Sequence, residues 1–219
     1  MGKTEVMTNR DLAQLERGRL CDLLLVVGPD HRTLCEGWTT ADLAAHLVIR
    51  ERKPLAGPGI VAGGRLGAYT EKVRLATKDG STYADLVARV RSGPPALLRP
   101  LDGAINLSEY FIHLEDVRRG EGTIEPRPVE EVGDVEDALW AMQGRRTKFL
   151  TRTLDDIDLT LALPDGEAKA IGGGSRPVTL TGRPGELTLF LAGRRSAAAV
   201  ELVGADDAVA EVRTGKLGI

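Results

Sequence analysis

Three groups in the stretch NLSEYFIHLEDVRRG, residues 106–120, can do chemistry. Glu109 stands four residues before His113, and Asp116 stands three residues after it. On a helix, Glu109 and His113 lie about 40° apart around the axis, and Asp116 returns to within about 20° of Glu109. A carboxylate and an imidazole one turn apart on one face can grip a divalent cation. The same spacing also occurs as a solvated or hydrogen-bonded Glu–His pair, so a further donor is needed to single it out. His46, in DLAAHLVI, is the candidate, although a single His between Ala45 and Leu47 also reads as a core histidine. Together, His46, Glu109 and His113 make a set of two imidazoles and one carboxylate that leaves positions open for water or substrate. That is the catalytic arrangement rather than the closed structural one. The donors suit zinc, and nickel, iron, cobalt and manganese remain compatible with them.

Asp116 is a candidate to orient a ligand or accept a proton. As a fourth ligand it would instead close the site. Arg50, one turn after His46, could clamp a substrate carboxylate; its alternative is a solvated helix charge. His31, between Asp30 and Arg32 in a turn, reads as a surface residue. Cys21 and Cys35 are the only cysteines. With no CxxC they read as small packing residues rather than as a disulfide or a zinc site. A P-loop, a dinucleotide-binding glycine fingerprint and a G-x-S-x-G elbow are all missing from the sequence.

These groups need helices to bring them together, and the first part of the chain is helical in pattern. Leu12, Leu15, Leu20, Leu23 and Leu24 recur at helical spacing over 9–27. After the break at Gly28 and Pro29, Thr39 with Asp42 reads as the capping start of the helix that carries His46. A Gly- and Pro-rich loop follows at 54–64, then a short helix near 66–77. Another is capped by Ser81 or Thr82 with Asp85. The helix of Glu109 and His113 spans about 102–119. A last long helix is expected over 134–154, with Val135, Leu139, Met142 and Phe149 on or near one face. Beyond residue 155, period-two alternation in IDLTLALP marks a strand. Short strands are expected in EAKAIGGG, RPVTLTG and AAVELVG, and helices in GELTLFLAGRR and ADDAVAEVRTG. The pattern predicts a mainly α protein, a four-helix core over 1–155 followed by a small α+β unit over 156–219.

Composition narrows the partners. The 219 residues are 42% hydrophobic and 28% charged, an ordinary globular balance. The net charge is −3 with no long basic run, and aromatics are 4%, so nucleic acid and anionic membrane are poor candidates. No apolar run reaches the roughly 18–20 residues of a membrane span. The polar start MGKTEVMTNRDLAQ lacks a signal-peptide core. A cytoplasmic protein is expected.

TLCEGWTTADLAAHLVIRERKP, followed at a distance by NLSEYFIHLEDVRR, resembles an actinobacterial family that carries the metal-binding domain of mycothiol-dependent maleylpyruvate isomerase. The resemblance covers about residues 9–155. The tail VTLTGRPGELTLFLAGR is similar to the small C-terminal domain that often follows it. The resemblance implies a DinB-like four-helix bundle with metal ligands at His46, Glu109 and His113. It also implies mycothiol as a thiol partner beside a small-molecule substrate; a homodimer is compatible with it. In that isomerase the metal is thought to hold the thiolate, which adds to the substrate double bond, allows rotation and leaves. The activities implied are isomerase or S-transferase. A non-catalytic metal-binding module and a hydrolase that activates water at the metal stand as alternatives.

Overall fold

The computed structural model describes residues 7–52, 64–97, 102–144, 147–148, 151, 153–154 and 156–215. It is mainly helical, with a small four-stranded sheet near the C-terminus. The chain divides into two compact units, Met1–Glu121 and Gly122–Ile219.

The first unit is built from α1 (Asn9–Val27), α2 (Thr40–Arg52), α3 (Gly64–Asp79), α4 (Tyr83–Arg91) and α5 (Asp102–Arg118). Local chemistry sets the helix starts. Thr8 and Asp11 form a reciprocal capping box at α1. Thr82 Oγ1 accepts from the Asp85 N–H at α4. At α2, Asp42 Oδ2 accepts from the N–H of Thr39 at 3.1 Å. The helices then bury their apolar stripes in one core. It contains Leu20 and Leu24 of α1, Leu43 and Leu47 of α2, Leu86 and Val90 of α4, and Tyr110, Leu114 and Val117 of α5. Cys21 is fully buried in it, as a packing residue should be. α5 lies along α1, while α2 packs on α3 and α4.

The second unit holds α6 (Val129–Met142), β1 (Ile157–Ala162), β2 (Ala168–Ala170), β3 (Arg176–Thr181), α7 (Pro184–Leu191), β4 (Glu201–Gly204) and α8 (Asp206–Thr214). The sheet order is β2-β1-β3-β4; β1 and β3 run parallel and both outer pairs antiparallel. Ile157, Leu159 and Leu161 of β1 and Val178 and Leu180 of β3 point into a core shared with Leu187 and Phe190 of α7, Val212 of α8 and Trp140 of α6.

One expectation changes here. The expected helix over 134–154 starts earlier and ends sooner. Pro128, which cannot donate an N–H, precedes its first turn, where Glu130 and Glu131 suit the positive helix end. It stops after Met142, ahead of Gly144 with its φ of +126°; Phe149 lies outside the described residues. In the division at 121/122, Trp140 and Glu136 of α6 are bound into the sheet unit. Trp140 Nε1 donates to Glu167 Oε1 at 2.6 Å, and Arg183 donates twice to Glu136 Oε2 at 2.8 and 3.0 Å.

Candidate metal centre

α5 presents Glu109, His113 and Asp116 along one side, as their spacing requires. His113 is almost wholly buried, and its ring is flanked on both nitrogens. Nδ1 lies 2.9 Å from Asp116 Oδ2 and donates to it. Nε2 lies 3.7 Å from Glu109 Oε2. The His46 ring of α2 stands edge-on to the His113 ring, with centroids 5.4 Å apart. Thus His113 has Glu109 on one side and His46 beside its ring, although 67 residues separate it from His46 in the chain. Burial disfavours the His113 imidazolium, yet its hydrogen bonds with Asp116 and Cys35 outweigh that and lift its pKa to about 9. A cation taken up at this ring must displace that proton.

The loop between α1 and α2 contributes what the sequence pattern did not single out. Cys35 is half-buried, and its Sγ donates to Asp116 Oδ2 at 3.3 Å. Cys35, His113 and Asp116 form a group whose ligand atoms all lie within 4.8 Å of one another. Several contacts hold the loop down. Leu34 N–H donates to the Asp116 carbonyl at 3.0 Å. Thr33 Oγ1 lies 3.0 Å from the Trp38 carbonyl and accepts from Cys35 N–H at 3.2 Å. Gly120 is needed beneath it, since a Cβ there would sit 2.0 Å from the Arg32 carbonyl oxygen. His31, expected at the surface, is half-buried. Its Nε2 lies 3.2 Å from the Val117 carbonyl, so it pins the loop to the end of α5. The loop ends on Trp38, whose ring is 5.1 Å from that of His46 and carries the Arg74 guanidinium on its face at 4.7 Å.

Arg50 is held by protein groups. Its Nε lies 3.4 Å from Glu109 Oε2, and its guanidinium also donates to Asn106 Oδ1 and to the Ile105 carbonyl. From Asn106 a buried polar chain continues along α5. Asn106 Nδ2 donates to Asp102 Oδ1 at 2.6 Å and to Glu51 Oε1 at 3.3 Å. Tyr110 Oη donates to Glu51 Oε1 at 2.5 Å. Arg17 Nη2 donates to both carboxylates, at 2.7 and 3.2 Å. Burial pushes the Glu51 carboxyl up, against the opposing pull of Tyr110 and Arg17. No local pattern marks this chain of contacts, because its members come from three helices.

A crystal structure of the mycothiol-dependent maleylpyruvate isomerase superposes on 90% of this chain and 91% of its own, with a TM-score of 0.58. The two share a fold. Sequence identity between them is 17%. A histidine-to-alanine mutant of that isomerase matches over the same extent with a TM-score of 0.56. No family model and no curated protein match the chain.

Proposed function

We propose that this chain is a divalent-metal enzyme on a DinB-like helical bundle, acting with the low-molecular-weight thiol mycothiol as an isomerase or S-transferase in the cytoplasm. The observation that carries the reading is the two-sided setting of His113. Asp116 takes Nδ1–H, which leaves Nε2 toward Glu109, with His46 beside the ring. A histidine ligand oriented by a carboxylate on its far nitrogen is the usual support of a metal site. Two imidazoles and one carboxylate fit zinc and leave positions for a thiol. When bound, the metal would lower the pKa of such a thiol. Asp116 fixes the tautomer of His113. Arg50 orients Glu109 and is the candidate to meet an anionic substrate group. The shared fold supports mycothiol as the thiol and a small unsaturated acid as the kind of substrate.

The test has two stages. Isolated protein should carry about one divalent ion per chain by elemental analysis, and His46→Ala, Glu109→Ala and His113→Ala should each lose most of it. Mycothiol added to cobalt-substituted protein should then produce a sulfur-to-metal charge-transfer band. Full cobalt occupancy with no spectral change at millimolar mycothiol would refute the thiol reading.

A second reading is favoured by the group of Cys35, His113 and Asp116. A cation held there by a thiolate, a carboxylate and the Nδ1 of His113 would make the loop part of a closed structural site. Loss of metal in Cys35→Ser, with His46→Ala unaffected, would establish it.

A further inference from the structure

A pocket of about 250 Å³ opens in the first unit between α1, the end of α4 and the start of α5. Its wall is cationic. Arg10, Gln14 and Arg17 come from one face of α1, and Arg91, Ser92 and Gly93 from the end of α4. The one carboxylate among its lining residues is Asp102, which already accepts from Arg17 and Asn106.

Arg17 is the unusual member. Its side chain is 5% exposed, and Nη2 is consumed by Asp102 and Glu51. Its Nε is buried without a hydrogen-bond partner. Its Nη1 faces Gly93, where a Cβ would lie 3.0 Å away. Gly93 has φ +71°, a backbone that favours glycine, and the missing side chain leaves the space beside Nη1 unfilled by a Cβ. A buried guanidinium with donors left over is costly unless something accepts from it.

The end of α4 would normally repel an anion, since the last carbonyls of a helix carry partial negative charge. Here Arg52 Nη2 donates to the Gly93 carbonyl at 2.9 Å and to Ser92 Oγ at 2.6 Å, which offsets that field. Arg91 is tied to Asp22 through Nη2 alone, at 2.6 Å.

We propose that this pocket binds a phosphate group through Arg10, Arg17 and Arg91, as a site separate from the candidate metal centre. Arg17 is paired through Nη2 with Asp102 and Glu51 and Arg91 through Nη2 with Asp22, so an oxyanion would be met by their remaining N–H groups and by Arg10, and arginine forks match its geometry. A water takes about 30 Å³, so the pocket has room for a phosphate and a small organic substituent. Asp102 and Glu109 are seven residues apart on α5, about 10 Å along the helix, which keeps the two sites distinct.

Amide shifts should be followed by NMR while inorganic phosphate replaces chloride at constant ionic strength. The Gly18, Ser92 and Gly93 signals should move saturably. Arg10→Ala and Arg91→Ala, both at accessible positions, should each weaken binding about tenfold, the worth of one charge-assisted hydrogen bond. His46→Ala should bind phosphate as the wild type does. Glycerol phosphate binding more tightly would identify a phosphomonoester as the ligand; equal binding would identify the free ion, and either supports the site. Lack of saturable shifts at tens of millimolar would overturn the proposal. So would undiminished binding in both arginine variants, or loss of binding in His46→Ala, which would move the anion to the metal centre.

Discussion

At the scale of single residues, Asp116 is the side chain on which most depends. It accepts from both His113 Nδ1 and Cys35 Sγ, and its backbone carbonyl accepts from Leu34. If its part is to orient His113 rather than to hold the cation, Asp116→Ala should leave a metal site that binds about 10–100-fold more weakly, measured by competition with a chelator. Outright loss, equal to that of His113→Ala, would instead make Asp116 a ligand. Cys35→Ser is the companion measurement. On the three-ligand reading it leaves metal content unchanged, because the serine hydroxyl can still donate to Asp116.

At the scale of elements, one carboxylate ties α2 to α3. Asp42 Oδ1 accepts from Lys78 at 2.7 Å and from Arg74, and Oδ2 accepts from the cap residue Thr39. Burial pushes this carboxyl up, but the four donors outweigh it and hold its pKa well below the usual carboxylate range. A depressed folded-state pKa stabilises above the unfolded value, near 3.8, and that stability is lost as pH falls below it. Asp42→Asn should therefore lower stability at neutral pH and flatten the acid limb of a denaturation series below pH 3.8. In the second unit, Glu136 plays the matching part for α7. It accepts from Arg183 and from the Gly185 N–H in the first turn of that helix. Glu136→Ala should cost about 1.5–3 kcal/mol in chemical denaturation, the range for hydrogen bonds to a charged group.

At the scale of the whole chain, the second unit has its own core, and α6 belongs to it. A fragment of residues 122–219 should unfold cooperatively on its own. A fragment of residues 156–219 should lose the burial of Trp140, about 3 kcal/mol, and the support of Glu136. Circular dichroism melts of the two fragments test this: a sharp transition is expected for the longer and a broad or absent one for the shorter. Equal melts would return the boundary to residue 155. Within the described residues no helix is long and apolar enough to cross a membrane.

Elements whose signals are local can be read from the residues alone. Thr39 with Asp42 and Thr82 with Asp85 mark helix starts because a cap is made within three residues. Period-two alternation marks β1 because successive side chains face opposite sides of a sheet. Helical spacing alone put Glu109, His113 and Asp116 on one side of α5. Which groups meet across the chain follows from the packing of the helices and strands. Cys35 reaches Asp116 over 81 residues, Arg17 reaches Asp102 over 85, and β1 pairs in parallel with β3. Cys35, which reads as a packing residue in its own loop, comes beside His113 because Gly120 lets the Arg32 backbone approach α5. α6 likewise reads, by its period, as the last long helix of the core over 1–155. Its assignment follows from where Trp140 and Glu136 find partners, and those lie 27 and 47 residues away at Glu167 and Arg183. Helix and strand periods record which face is buried; they carry no record of what that face is buried against.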